Sequence, residues 1–284
     1  MRRALVLGGG GITGIAWEIG VLAGLRGAGV DLAASADMII GTSAGSVVGA
    51  LAATVDLDHA VSLVRQSVGL ELSFQVDMSL LAHAFGVLSD TALAPNAARA
   101  RLGALALSAP VGDEQVQVDR FAALLPVHEW PTHPRLVITA VDAYTGAPLA
   151  WDDADGVPLV RAVAASCAVP CVFPPISIDG SRYIDGGVRS VTNADLAAGA
   201  DAVVAIAPVA GPFRRRPEAE LRGLGDVPAL LIATDAAARE AIGPDVLDVS
   251  RAVAAMNAGL AQGEAVADEV AAVWALAVPP RHDR

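Results

Sequence analysis

Ser43 lies at the centre of a G-T-S-A-G pentapeptide, residues 41–45, directly after the apolar run 38–40. A strand that ends in a glycine-flanked turn and then enters a helix exposes a serine hydroxyl, and small neighbours let the backbone take that turn. The dipole of the following helix favours negative charge beside the serine. The pattern therefore predicts a nucleophile elbow built on Gly41 and Gly45. Taken alone, it also fits a helix start that Ser43 caps.

A second candidate is a run of four glycines, residues 8–11, which follows the apolar run 4–7. Successive glycines at a strand-to-helix junction can turn several backbone N–H groups into one concavity, and such a nest binds an anion or an oxyanion. The segment is thus a candidate for stabilising negative charge that develops on a substrate.

Asp185 is the third candidate, because Gly186 and Gly187 follow it at the end of a short strand pattern at 182–184. Asp and Gly alone also favour an ordinary turn. Together, however, a serine, an anion nest and a positioned carboxylate are the parts that acyl transfer requires.

The order G-G-G-x-x-G, then G-T-S-A-G, then D-G-G resembles the patatin-like phospholipases over roughly residues 4–200. The resemblance implies that Ser43 is the nucleophile and that Asp185 is its only catalytic partner, in a dyad without histidine. It also implies an oxyanion hole formed by Gly9, Gly10 and Gly11. The implied activity is hydrolysis of carboxylic esters of lipids, of the lipase or phospholipase A type, with no metal and no cofactor.

A Ser-His-Asp triad is less consistent with the sequence. Only His282 follows Asp185, and it lies in a polar tail that could not hold an imidazole in place. The other histidines have no partner motif: His59, His83, His128 and His133. The dyad has a chemical difficulty, because an unperturbed Asp, with a pKa of about 3.9, is a poor base for a hydroxyl group. Burial can raise this pKa, and the proton need move only as the oxyanion forms and is captured by the glycine nest.

Two other classes of function stay open. Residues 9–14 also fit G-x-G-x-x-G, the fingerprint of a dinucleotide-binding module of Rossmann type. That module needs an acidic residue where the second strand ends, whereas this chain has Gly41-Thr42-Ser43 there, and Asp31 and Asp37 precede the strand. A non-catalytic lipid-binding protein is the other alternative, although it would not require both Ser43 and Asp185.

Composition excludes several functions. The chain has 284 residues, 54% of them hydrophobic, and a net charge of −12, which argues against nucleic acid as a partner. All 19 basic residues are arginine, so a Walker A loop, a Schiff-base lysine and a Ser-Lys dyad are excluded. The two cysteines, Cys167 and Cys171, are expected to be reduced and packed, as in a cytoplasmic protein.

Apolar runs alternate with helical patterns, which predicts an α/β fold of three layers, α/β/α, around a mostly parallel sheet. We expect a single domain over 1–284, with the motifs in 4–200 and a final strand and C-terminal helices in 201–284. Residues 246–276 read as helical, with a break at Gly259 and Gly263. Residues 69–95 fit either a lid over an acyl pocket or a packed helical insertion, and 208–226 reads as a solvated loop. The expected partners are a lipid or ester substrate and, transiently, a membrane surface.

Overall fold

The computed structural model describes residues 2–67, 77–209 and 215–275. Within them, one sheet has the strand order β5-β6-β3-β2-β1-β7-β8, and β4 pairs with β3. The central strands β3, β2, β1, β7 and β8 are parallel, whereas the pairs that involve β4, β5 and β6 are antiparallel. The strands are β1 (Arg3–Leu7), β2 (Met38–Gly41), β3 (Arg135–Asp142), β4 (Pro148–Trp151), β5 (Ile176–Ile178), β6 (Ser181–Asp185), β7 (Ala202–Ala207) and β8 (Ala229–Ala233).

Helices cover both faces of this sheet. They are α1 (Gly11–Gly27), α2 (Leu32–Ser35), α3 (Ala44–Thr54), α4 (Leu57–Gln66), α5 (Met78–Ser89), α6 (Pro95–Ser108), α7 (Glu114–Leu124), α8 (Leu159–Ser166), α9 (Pro217–Arg222), α10 (Ala236–Ile242), α11 (Ala252–Ala265) and α12 (Ala267–Ala275). Alternate residues of β1 point to opposite faces, since Leu5 and Leu7 pack with α1, α3 and α8 while Ala4 and Val6 pack towards α9. Helix α6 packs against β3 and β6 on that second face. The predicted three-layer α/β/α architecture is confirmed.

Helices α1 and α11 approach each other unusually closely. A Cβ atom added to Gly20 would lie 2.1 Å from the carbonyl oxygen of Met256, and one added to Gly259 would lie 2.2 Å from that of Trp17. Gly24 and Gly263 make equivalent approaches one turn further along. The expected helix break at Gly259 and Gly263 is therefore wrong: α11 continues through both glycines and ends before Val266. These glycines allow backbone-to-backbone packing rather than interrupting the helix.

The segments that read as irregular from the sequence are partly helical. Within 69–95, α5 buries Ala84 and Val87 against Leu102 of α6, which matches the packed insertion. The lid alternative covers the same residues, 69–95, of which 69–76 lie outside the described residues, so it stays a prediction. In 208–226, Arg215 forms ion pairs with Asp195 and Glu220, so this arginine is engaged within the fold. Strand β8, which follows, was not anticipated. Among the described residues, no helix is long and apolar enough to cross a membrane.

Candidate active site

Ser43 occupies the sharp turn between β2 and α3, where its backbone has φ 52° and ψ −117°. A non-glycine residue with positive φ is uncommon and is strained. The turn brings the flanking backbones very close together, which is possible because residues 41 and 45 have no side chain. A Cβ on Gly41 would lie 2.6 Å from the Gly45 carbonyl oxygen, and one on Gly45 would lie 2.1 Å from the Leu7 carbonyl oxygen. Both elbow glycines are thus required by space.

Three side chains hold the backbone of Ser43 in this conformation. Its N–H donates to Ser166 Oγ at 2.9 Å, and its carbonyl oxygen accepts from Ser46 Oγ at 2.7 Å and from Cys167 Sγ at 3.3 Å. Ser166 and Cys167 lie where α8 ends, far away in sequence. Both cysteines of the chain are free and buried.

Asp185 ends β6 with its residue only 4% exposed. The Gly187 N–H donates to its Oδ1 at 2.7 Å, and the Ser43 side chain lies near enough to the carboxyl group to affect its pKa. Burial raises the pKa of Asp185 from an ordinary value of 3.8 to about 7, and the hydrogen bonds from Ser43 and Gly187 oppose this rise. A carboxyl group with this pKa can accept and return a proton near neutral pH.

Asn193 links the two motifs, a role that no sequence pattern indicated. Its Nδ2 group donates to Thr42 Oγ1 at 3.0 Å and to the Ser190 carbonyl oxygen at 2.8 Å, with longer contacts to Thr139 Oγ1 and the Gly186 carbonyl oxygen. Asn193 is 1% exposed and has φ 50°. It therefore ties the serine turn to the turn that follows Asp185.

The glycine run forms the turn from β1 into α1, beside Ser43. A Cβ on Gly9 would lie 3.4 Å from Ser43 Cβ. The Gly9 N–H, however, donates to the Val191 carbonyl oxygen at 2.8 Å, so it does not fit the role of oxyanion donor. Gly10 immediately precedes α1 and Gly11 is its first residue, so their N–H groups have no acceptor within the helix.

Glu18 lies beneath this turn and is fully buried. Its Oε1 accepts the Gly8 N–H at 2.8 Å, and its Oε2 has no hydrogen-bond partner among the described residues. Burial raises the pKa of Glu18 well above its ordinary value, while the bond from Gly8 opposes the rise. Buried carboxyl groups are rare without a charged partner, yet no sequence pattern indicated this one.

Ser43 opens into an apolar cavity of about 550 Å³. Residues of α1, α3, α4 and α7 make up most of its lining. Polar residues enter the lining as well, among them the exposed Gln66 and Arg120. Cavities of this size and character hold a small ligand or an extended hydrocarbon chain.

Histidine does not enter this arrangement within the described part of the chain. The four described histidines are exposed, and none lines the cavity: His59, His83, His128 and His133. His282 lies outside the described residues. Over the same residues, no group of three or more His, Cys, Asp or Glu side chains could hold a metal ion.

Comparisons with known proteins agree with the family suggested by the motifs. A sequence model described as patatin-like phospholipase matches residues 5–198. No curated protein sequence matches the chain significantly.

Two solved structures resemble the fold at low sequence identity. VipD from Legionella pneumophila is 13% identical, with a TM-score of 0.48; the alignment covers 94% of this chain and 67% of VipD. The type III effector protein ExoU is 16% identical, with a TM-score of 0.38; the alignment covers 93% of this chain and 53% of ExoU. The assignment rests on the sequence match, which spans more than half of the chain. The chain therefore belongs to the patatin-like phospholipase family, and this membership supports a lipid hydrolase activity.

Proposed function

We propose that this chain is a serine acyl hydrolase that cleaves carboxylic esters of lipids with Ser43 as nucleophile and Asp185 as general base and acid. One observation carries the proposal: the strained Ser43 contacts a buried carboxyl group whose pKa is about 7, at the mouth of an apolar cavity. We further propose that the whole chain, 1–284, acts as one hydrolase domain, which the close packing of α11 on α1 supports.

In the first half of the reaction, Ser43 Oγ attacks the ester carbonyl carbon while Asp185 accepts the hydroxyl proton. The carbonyl oxygen becomes an oxyanion, and the N–H groups of Gly10 and Gly11 donate to it. Collapse of this intermediate breaks the ester bond. The alcohol leaves with the proton from Asp185, and the acyl group remains on Ser43.

In the second half, Asp185 takes a proton from a water molecule, which attacks the acyl-enzyme carbonyl carbon. The same N–H groups stabilise the second oxyanion. Its collapse releases the carboxylic acid, and the proton returns from Asp185 to Ser43 Oγ. The cycle uses one water and restores the enzyme.

The dinucleotide-binding alternative gains no support from the fold. The place where β2 ends, at which such a module carries its acidic residue, is occupied by the serine turn. A Cβ on Gly10 would lie 2.5 Å from Pro208, and Val246 stands equally close to Gly11, so protein atoms already crowd the glycine turn.

Labelling with a fluorophosphonate probe, followed by peptide mapping, tests the proposal. We expect the wild-type protein to be labelled at Ser43 and the Ser43→Ala variant to be unlabelled. Ser108→Ala is the matched control, since this exposed serine ends α6 and should not affect labelling. Stable modification of another residue, or a folded wild-type protein that neither reacts nor hydrolyses any ester, would refute the mechanism.

A further inference from the structure

The lining of the cavity beside Ser43 extends along two helices. Along α1 its lining runs from Gly11 through Ile12, Ile15 and Ala16 to Ile19, and along α3 it runs from Ser43 through Ala44 and Val47 to Leu51. On α1, Ile12 and Ile15 are partly exposed, whereas Ala16 and Ile19 are each 1% exposed. Ile19 and Leu51 are the lining residues of these two helices that lie farthest from Ser43 along the chain.

The stretch of lining residues has the same length on both helices. Both α1 and α3 follow parallel strands of one sheet, so they run in the same direction from the same edge. Ile19 lies eight positions after Gly11, and Leu51 lies eight positions after Ser43, which corresponds to about 12 Å at a rise of 1.5 Å per residue. Helical side chains lean towards the N-terminus, so Ile19 and Leu51 shorten the free path somewhat.

We propose that this cavity measures acyl length, and that Ile19 and Leu51 restrict it to medium chains of about eight to ten carbons. The number of carbons follows from the length of about 12 Å, because an extended hydrocarbon chain advances about 1.3 Å per single bond, a third of the spacing between successive Cα atoms. This inference rests on the proposed function, since it takes Ser43 as the site of attack. The ligand class is a medium-chain carboxylic ester.

Hydrolysis of p-nitrophenyl esters from acetate to hexadecanoate tests the inference in the full chain. We expect kcat/KM to peak at octanoate or decanoate and to fall by roughly tenfold or more towards hexadecanoate, because methylenes that an apolar pocket cannot accommodate are costly. A value that stays level or rises up to hexadecanoate would overturn the inference while leaving the serine mechanism intact.

Leu51→Ala should move the optimum to longer esters, because it removes the barrier at the inner end. Leu22→Ala is the matched control: Leu22 is equally buried in α1 but does not line the cavity, so its loss should lower stability and leave the length profile unchanged. Ala16→Leu should have the opposite effect to Leu51→Ala, favouring butanoate. Identical profiles for wild type, Leu51→Ala and Ala16→Leu would contradict the inference.

Binding of free fatty acids to the Ser43→Ala variant gives a readout that does not depend on hydrolysis. Calorimetry should show affinity rising about fourfold for each added methylene up to roughly ten carbons and then levelling off. Affinity that keeps rising to hexadecanoate would overturn the inference. A break near ten carbons in a protein that hydrolyses no ester would instead support the inference and refute the proposed hydrolase.

Discussion

In the proposed dyad, the environment of Asp185 sets the pKa of its carboxyl group and so determines whether it can act as a base. Burial is the larger effect on Asp185, and hydrogen bonds from Ser43 and Gly187 only partly offset it. A carboxyl group that must be deprotonated to accept the serine proton is half in that form at its pKa. Catalysis at neutral pH therefore depends on how deeply this side chain is buried.

The first prediction concerns pH. We expect kcat/KM for a short p-nitrophenyl ester to rise with pH through an apparent pKa of about 7 and then level, since only ionised Asp185 can act as a base. A rate profile between pH 4 and 9, corrected for spontaneous hydrolysis, measures this. A profile that is already level at pH 5 would show that Asp185 does not limit the reaction.

The second prediction concerns the dyad as a unit. Ser43→Ala and Asp185→Asn should each lower kcat by about 10³-fold or more, and the double variant should be no slower than the slower single variant. Single substitutions of the five histidines should each cost less than about tenfold. If one histidine variant were inactive but folded by circular dichroism, a triad would replace the dyad.

The third prediction separates Gly9 from Gly11. Gly11→Ala should lower kcat by roughly 10²-fold or more with a smaller change in KM, because its N–H acts mainly on the transition state. Gly9→Ala should cost much less, since its N–H already bonds to Val191 and its added Cβ would be in ordinary contact at 3.4 Å.

Strain must be controlled in this comparison, because Gly11 has φ +63° and an added Cβ would meet Val246. Gly29→Ala provides the control: Gly29 has φ +91° and open space around its Cβ position, away from the cavity. Thermal melts should show a loss of stability for both variants, with kcat changed only for Gly11→Ala. Equal activity of Gly11→Ala and wild type would contradict the oxyanion assignment.

At the scale of the elements, the pairing of α1 with α11 carries the clearest energetic consequence. The fourth prediction is that Gly259→Ala strongly lowers the free energy of unfolding, because its Cβ would lie 2.2 Å from the Trp17 carbonyl oxygen and the two helices would have to separate. Gly86→Ala is the matched control: no atom of the described residues would lie within 4 Å of a Cβ added to this glycine of α5, so alanine there should stabilise by about 0.5–1 kcal/mol. Urea unfolding of both variants measures the difference, and equal effects would refute the tight packing.

Elements with a strong apolar signal could be predicted from the sequence. Strands β1 and β2 fall on the apolar runs 4–7 and 38–40, because short apolar runs buried on both sides leave little choice. Helices α6 and α7 were not identified, since their apolar residues do not gather on one clear face and their cores form against distant elements. Strand β8 was missed because it completes the edge of a sheet whose neighbours lie elsewhere in the sequence.

For the site, the motifs indicated where Ser43 and Asp185 fall in the chain but not the contacts that join them. Asn193, Ser166 and Glu18 act through space on residues far away in sequence, so no local pattern could indicate them. The bond from Gly9 to Val191 is likewise a tertiary contact. Sequence motifs identify groups able to react; only packing decides which backbone donors remain free.

At the scale of the whole molecule, two buried carboxyl groups make folding dependent on pH. The pKa values of Glu18 and Asp185 are both raised by burial, so each group favours the folded state most when it is protonated. Their contribution to stability is complete below the pH at which the unfolded carboxyl groups titrate. It is lost as pH rises through the folded pKa, which is about 7 for Asp185.

The fifth prediction follows from this linkage. Asp185→Asn and Glu18→Gln should each raise the melting temperature relative to wild type, by an amount that grows between pH 4 and pH 8. Asp226→Asn, at an exposed aspartate, is the control and should show no such growth. Scanning calorimetry at several pH values measures the differences, and a pH-independent offset for both buried variants would refute the linkage.

The reciprocal glycine contacts between α1 and α11 also set an order of events during biosynthesis. Helix α1 leaves the ribosome before α11, and its contacts with Met256 and Leu260 require a segment made more than 200 residues later. Until then, the backbone of α1 lacks these contacts. We therefore expect the nascent chain to remain inactive until α11 has emerged.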